Sequence, residues 1–322
     1  MKIGVIGSNF VSDWLCQAVQ ETGEFTLSAM YSRKQGNGEA FAAKYGIPAV
    51  YTDMEAFLSS DIDAVYIASP NYCHGPQAID ALRHGKHVLC EKPIATTFAE
   101  WQAMEQAARE NGKVLLEAMR PAFDPAIQVV RDNLPRLGTI RRAVLEYCQY
   151  SSRYDRFKAG EVLNAFTPAL GNAAIMDIGV YAVHVCLMLF GKPSAVQSHS
   201  VLLSNGMEGM GTIFLPYDEL GFQAEVVYAK IIDSVNPSVI TGENGSITID
   251  KLSQPGLVTL QLRGEERQVL FTKETDNNMI YQLRTFAELI RRGEIEHGYK
   301  RISAMEMEVL DTVREQNGIV FR

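Results

Sequence analysis

The chain has 322 residues, 47% of them hydrophobic and 21% charged, with a formal net charge of −8. That length accommodates about two domains with sizeable cores, the composition is that of an ordinary globular protein, and the acidic balance argues against a general nucleic-acid binder, which shows a basic face. The chain opens on a strand-like run, Lys2-Ile3-Gly4-Val5-Ile6, without the charged and apolar regions of a secretory leader. The expectation is a cytoplasmic protein with no membrane partner. The five cysteines, Cys16, Cys73, Cys90, Cys148 and Cys186, are odd in number and contain no Cys-x-x-Cys pair, which reads as free thiols in a reducing compartment. The six histidines form no cluster with them, and no metal site is expected.

Within residues 1–120, short apolar runs at 2–6, 25–31, 64–68, 87–90 and 114–117 alternate with helical patterns at 11–21, 38–44, 55–59, 75–84 and 98–111. This alternation predicts βαβ units and a parallel, doubly wound α/β sheet covered on both faces. The pattern then changes. Pro121, Pro125 and Pro135 punctuate a short helix, 140–150 reads as a long strand, and 172–190 is the most apolar long stretch. Asp177 and His184 near its middle predict a buried helix rather than a membrane span. From 195 to 271 the chain reads as successive strands with turn signals such as Ser204-Asn205-Gly206 and Glu243-Asn244-Gly245, hence an antiparallel sheet. Helices are predicted at 279–292 and 303–316. The predicted organisation is a dinucleotide-binding domain at 1–120 and an α+β domain for substrate and oligomerisation at 121–322.

Two local patterns point to a nucleotide. The run Gly4-Val5-Ile6-Gly7-Ser8-Asn9-Phe10-Val11-Ser12 resembles a strand–turn–helix phosphate loop in which Gly7 allows the tight turn and the following helix aims its first N–H groups at a pyrophosphate. Asn9 replaces the expected second glycine and Ser12 the third. Asn tolerates left-handed geometry better than most residues, although its side chain adds bulk beside the phosphate. The second strand ends at Ser32-Arg33-Lys34, and no acid lies between Phe25 and Gly38. An NAD site places an acid about 20 residues past the glycines to hold the ribose hydroxyls; a hydroxyl and two cations suit a 2′-phosphate instead. The alternatives are an ordinary strand–helix turn and a solvated loop.

More specific are Ser69-Pro70-Asn71 with His74, then Cys90-Glu91-Lys92-Pro93, then Gly171-Asn172-Ala173-Ala174-Ile175-Met176-Asp177-Ile178-Gly179-Val180-Tyr181 with His184, and finally Gly242-Glu243-Asn244-Gly245. In this order, over essentially the whole chain, they resemble the glucose–fructose oxidoreductase / inositol dehydrogenase / MocA family. The resemblance implies a Rossmann domain, a C-terminal α+β domain with an open, mostly antiparallel sheet, and hydride transfer at carbon bearing oxygen. It implies that Lys92 is catalytic, that the Lys92–Pro93 bond is cis, and that Ser69, Pro70, Asn71, His74, Glu91 and Lys92 line the cofactor with Gly7, Ser8, Asn9, Phe10, Val11, Ser32, Arg33 and Lys34. The pair Asp177 and Tyr181 is similar to the branch containing glucose–fructose oxidoreductase and dimeric dihydrodiol dehydrogenase, where tyrosine holds the acid/base position. Asn9, and Asn172 where a glycine is common, depart from the family pattern.

Read from spacing alone, Asp177, Tyr181 and His184 stand at i, i+4 and i+7 on one helix face, and such a stripe needs partners or a cavity. The competing reading is a satisfied buried cluster. A phenol is a poor base at neutral pH, with a reference pKa of about 10, and a nearby ammonium stabilises the phenolate. The expectation is therefore that Lys92, Tyr181 and Asp177 act as one unit with NADP(H), or less favourably NAD(H), on a sugar, polyol or vicinal diol. His184 is the rival acid/base, and His87 reads as a strand-edge residue. A non-catalytic nucleotide-binding or regulatory protein and an NAD-linked imine or pyrrole reductase are the competing functions. Apolar residues at both parities of 221–231 predict a homodimer or homotetramer through the C-terminal sheet.

Overall fold

The structure, a computed structural model, describes residues 1–161 and 163–321. The chain forms two compact units, Met1–Ala118 with Asn277–Ala304, and Met119–Asp276 with Met305–Arg322. The units are thus not two consecutive stretches, because the chain returns to the first one near its end.

In the first unit the order is β1 (Lys2–Ile6), α1 (Phe10–Thr22), β2 (Thr26–Tyr31), α2 (Gln35–Tyr45), β3 (Val50–Tyr51), α3 (Met54–Leu58), β4 (Ala64–Ile67), α4 (His74–Arg83), β5 (His87–Glu91), α5 (Phe98–Glu110) and β6 (Leu115–Ala118). All six strands are parallel, in the spatial order β3-β2-β1-β4-β5-β6. Every residue of β4 and β6 is buried, as parallel strands covered on both faces require. Strand order reverses between β1 and β4, and open sheets of this kind take ligands at the carboxyl ends of the strands beside that point. The strand β3 was not among the expected elements: with two residues it has no period to read, and it is held by Met30 N–H donating to Ala49 O at 2.9 Å and Ser32 N–H donating to Tyr51 O at 3.0 Å.

The second unit continues with α6 (Pro125–Asn133), β7 (Ile140–Cys148), α7 (Tyr154–Lys158), a π-helical turn at Ile175–Gly179, α8 (Val180–Phe190), β8 (Gln197–Leu202), β9 (Glu208–Tyr217), β10 (Phe222–Ala229), β11 (Ser238–Gly242), β12 (Gly245–Ile249), β13 (Leu257–Leu262) and β14 (Gln268–Thr272). Its eight-stranded sheet runs β14-β13-β12-β11-β7-β10-β9-β8 and is antiparallel except for β7 with β10. The helix α8 packs on β7 and β10, against a face whose Ala143, Leu145, Ile213, Leu215, Ala224 and Val226 are wholly buried. The stretch Pro168–Phe190 is long and apolar enough to cross a membrane, but most of it is buried inside the protein, as for a core helix. The helices α9 (Met279–Arg292) and α10 (Gly298–Asn317) close the chain; α9 packs on α1 within the first unit.

The expected single helix over 172–190 is corrected here. Its first part is wound as a π-turn, for reasons that lie in the sheet beneath it. An added Cβ on Gly179 would lie 2.8 Å from the Tyr228 ring, and the N–H of Ile175 donates to the buried Glu208 carboxylate at 2.7 Å. All five cysteines are free thiols, and burial pushes Cys16, Cys148 and Cys186 up to about 12.

Two histidines of the first unit make its stability sensitive to acid. Burial lowers His87 and His297 from the ordinary 6.5 to about 4. The Nδ1 of His87 accepts from Val114 N–H at 3.0 Å, and the Nε2 of His297 lies 3.1 Å from Leu115 O. The unfolded chain takes up these protons near pH 6.5 while the folded chain resists them until about pH 4. The stabilisation is therefore complete above the unfolded value and is lost as pH falls through that interval. In His87→Asn, which keeps an acceptor for Val114 N–H, the urea midpoint is expected to fall less steeply across the interval. An unchanged pH slope would contradict this account of His87.

Candidate active site

The carboxyl ends of β1, β2, β4 and β5 carry the sequence-singled residues of the first unit. Gly7 has φ +104°, and an added Cβ would lie 2.5 Å from the backbone oxygen of Ala68. Only glycine lets the ends of β1 and β4 approach this closely. The role of Asn9 differs from the one expected. Its backbone is extended, with φ −99°, so its tolerance of left-handed geometry is not used. Instead its Oδ1 accepts from Val11 N–H at 3.0 Å and Ser12 N–H at 3.1 Å, while its Nδ2 donates to Ala68 O at 2.8 Å. Asn9 is the N-cap of α1 and a brace to β4. Ser8 and Phe10 are exposed, Val11 is half-buried, and Ser12 is buried where a small residue was expected.

At the end of β2, the Ser32 hydroxyl donates to Lys34 O at 2.9 Å. The side chains of Arg33 and Lys34 stand in solvent, and Arg33 lies beside Tyr72. Tyr72, which is 42% exposed, escaped the sequence reading; an aromatic on the polar turn after a buried strand is the signal that would have found it.

Beyond β4, the Ser69 hydroxyl donates to Gln77 at 2.7 Å, and Pro70 and Asn71 are half-buried. His74 is buried between two carbonyls, with Nδ1 2.8 Å from Pro93 O and Nε2 2.9 Å from Ser69 O. Burial holds it below the ordinary histidine range. A neutral ring donates to only one of those carbonyls, so His74 joins the turns after β4 and β5 and is poorly suited to proton transfer. Glu91 is buried; its Oε1 accepts from the Tyr66 hydroxyl at 2.6 Å and its Oε2 from Lys92 N–H at 3.3 Å. It therefore fixes the strand end from which the half-buried Lys92 projects. The Lys92–Pro93 bond is cis, as the resemblance implied.

A dinucleotide fits these elements: a cradle that a Cβ would fill, the amino end of the thirteen-residue α1, and two cations with no acid where a 2′-phosphate would lie.

In the second unit, Asp177 sits on the π-turn with its side chain 43% exposed, and its Oδ2 accepts from Lys230 Nζ at 3.0 Å. Tyr181 lies in the first turn of α8. Its ring meets Tyr147 edge-on with centroids 5.6 Å apart, and the Arg120 guanidinium lies 5.9 Å from its centroid. Arg120 and Lys230 were not among the expected residues. His184 lies one turn further along α8 than Tyr181. It is 1% exposed, and its Nδ1 lies 2.5 Å from the wholly buried carboxylate of Glu306. A π-turn contains more residues per turn than an α-helix, so the i, i+4 spacing from Asp177 to Tyr181 does not fix their common face, whereas Tyr181 and His184 keep α-helical spacing within α8.

Comparison with known proteins bears on what this set of residues does. Residues 1–119 match a family model described as an oxidoreductase family with an NAD-binding Rossmann fold, and residues 133–248 match the GFO/IDH/MocA C-terminal domain. The chain is 39% identical over 325 residues to scyllo-inositol 2-dehydrogenase (NADP(+)) IolU of Bacillus subtilis, covering 100% of this chain and 98% of that protein. It is 25% identical over 337 residues to trans-1,2-dihydrobenzene-1,2-diol dehydrogenase of Mus musculus, with coverage of 100% and 98%. A crystal structure of a 3-ketoreductase from Actinomadura kijaniata in complex with NADP and TDP-benzene has the same fold, with a TM-score of 0.86, 23% identity and coverage of 98% of both chains.

Proposed function

The chain belongs to the glucose–fructose oxidoreductase / inositol dehydrogenase / MocA family of oxidoreductases, and we propose on that basis that it transfers hydride between NADP(H) and a sugar, polyol or vicinal diol, or the matching carbonyl. The observation that carries this reading is the full-length likeness to an enzyme named as an NADP(+)-dependent scyllo-inositol dehydrogenase. Arg33 and Lys34, with no acid nearby, support the choice of NADP(H) over NAD(H).

In this proposal Gly7, Ser8, Asn9, Phe10 and Val11 form the pyrophosphate loop. Ser32, Arg33 and Lys34, with Tyr72 beside Arg33, hold the 2′-phosphate end. Ser69, Pro70, Asn71, His74 and Glu91 shape the strand ends along the rest of the cofactor. The bound nicotinamide supplies the two-electron acceptor or donor. Tyr181 takes the substrate hydroxyl proton as the carbinol C–H bond breaks, and returns it to the carbonyl oxygen in the reverse direction. The Lys92 ammonium bonds that same oxygen and favours the phenolate. Asp177 bonds a neighbouring substrate hydroxyl and sets the orientation. His184, held by Glu306, is assigned to the core of the second unit.

The test is a titration of the protein with NADPH and NADH, followed by turnover with a panel of inositols, aldoses and cyclic trans-diols and, in parallel, with cyclic imines. NADP(+)-linked oxidation of at least one member is expected. Binding of nucleotide with no turnover of any member would favour the non-catalytic reading, and turnover confined to imines would favour the imine reductase reading.

We also assign the protein to the cytoplasm and to a homodimer or homotetramer formed through the open face of the second sheet. Along β10 one parity is buried, while Gln223 is exposed and Glu225 and Val227 are half-buried; on neighbouring strands Phe214 is 44% and Val201 45% exposed. A dimer or tetramer is expected by light scattering at micromolar concentration, and Phe214→Glu is expected to shift it towards monomer. A wild-type monomer at that concentration would refute the assignment.

A further inference from the structure

A lysine at the end of a strand ordinarily reads as surface charge, yet Lys230, which follows β10, is 1% exposed. Its Nζ donates to Ala165 O at 2.9 Å, Asn172 O at 3.1 Å and Asp177 Oδ2 at 3.0 Å. Three acceptors match the three donors of an ammonium, and the charge also lies 5.0 Å from the centre of the Phe166 ring. A buried ammonium is costly unless it is paired and hydrogen-bonded, so this arrangement leaves it little freedom to move.

A second buried charge grips the other side of the same turn. Glu208 on β9 is wholly buried. Its Oε1 accepts from the hydroxyls of Ser200 and Tyr228, both at 2.6 Å, and its Oε2 from Ile175 N–H at 2.7 Å. The turn Ile175–Gly179 is therefore held at its first residue by a carboxylate and at Asp177 by an ammonium. Glu208 lies on β9 and Lys230 directly after its antiparallel neighbour β10, and the Lys230 N–H is itself tied to Gly209 O at 2.9 Å.

We propose that Lys230 is a positioning residue: it fixes one oxygen of Asp177 and locks the residue 165–172 segment to the same point, so that the loop and the substrate-binding carboxylate move together or not at all. This deepens the proposed function and rests on it for the role of Asp177. The clamp itself does not depend on that role, and its test separates the two.

The variants are Lys230→Met, which keeps the packing of the stem and removes the charge, Lys230→Arg, Asp177→Asn, and the double variant Lys230→Met with Asp177→Asn. Amide hydrogen exchange is measured across residues 164–177, alongside NADPH affinity and the kcat and KM of the best polyol from the panel. Lys230→Met is expected to speed exchange at least about tenfold in that segment and to lower kcat/KM by about 10–100-fold, the scale of a small misplacement of a bound group. NADPH affinity is expected to be unchanged, and Lys230→Arg to recover part of both losses. In the Asp177→Asn background, Lys230→Met is expected to slow turnover by a smaller factor than in the wild type, because the two residues share one contact. Wild-type exchange in a folded Lys230→Met protein would overturn the clamp, and losses that multiply in the double variant would overturn the positioning role. If the wild type turns over no polyol, the proposed function fails, and the exchange measurement still decides the clamp. If Lys230→Met does not fold, the same comparison is made between wild type, Lys230→Arg, Asp177→Asn and the double variant.

Discussion

Tyr181→Phe is expected to lower turnover by roughly 10²–10⁴-fold, the range for a positioned acid–base group, and to leave NADPH affinity nearly intact. The substitution removes one oxygen from a side chain that is 7% exposed. The ring contacts with Tyr147 and Arg120 are kept, and thermal unfolding checks that the fold is too. Lys92→Met is expected to lose as much or more, since in the proposed mechanism its ammonium bonds the reacting oxygen. The contrasting variant is His184→Asn. His184 is buried against Glu306, so its loss should appear first as lower thermal stability, with turnover per folded molecule largely retained. An active Tyr181→Phe beside a folded but inactive His184→Asn would transfer the proton-transfer role to His184.

Arg33→Ala is expected to raise the dissociation constant for NADPH by roughly 10–100-fold, the worth of one or two hydrogen bonds to a charged group, and to change that for NADH little. Arg33 is exposed and lies on the turn where α2 begins. Removing it therefore perturbs no core contact, and a selective effect reports on the 2′-phosphate rather than on folding. Because the interaction is between exposed charges, the NADPH preference should also shrink as salt is raised. Equal weakening of both cofactors, or a wild-type preference for NADH, would contradict the assignment.

The parts of the molecule that were legible in sequence are those whose physics is local. The parallel strands of the first unit show as continuous apolar runs because both of their faces are buried. Helix ends near residues 22, 45 and 292 are legible because a glycine in left-handed geometry, Gly23, Gly46 or Gly293, follows each. What escaped depends on partners distant in sequence. The π-turn at Asp177 follows from Glu208 and Tyr228 beneath it, and nothing within 172–190 records either residue. Lys230 looks like surface charge until three acceptors from three separate positions surround it, and Glu208 sits two residues after the Asn205-Gly206 turn signal, where an acid reads as solvated. Asn9 was legible as a departure from the glycine pattern but not as a helix cap, since capping depends on the rotamer. Lys92 and Tyr181 were proposed from motif order alone, whereas the burial of His184 against Glu306 needed the structure, because Glu306 lies 122 residues away in sequence.

The most direct test of the central claim follows the hydride itself. The protein is incubated with NADP(+) and a polyol from the panel that carries deuterium on its carbinol carbons, and the reduced nucleotide is examined by mass spectrometry and proton NMR. The account predicts one deuterium per nucleotide, on a single face of nicotinamide C4, with the polyol converted to the ketone or lactone in equal amount. Unlabelled reduced nucleotide, or bound nucleotide that no sugar, polyol or diol reduces, would contradict it.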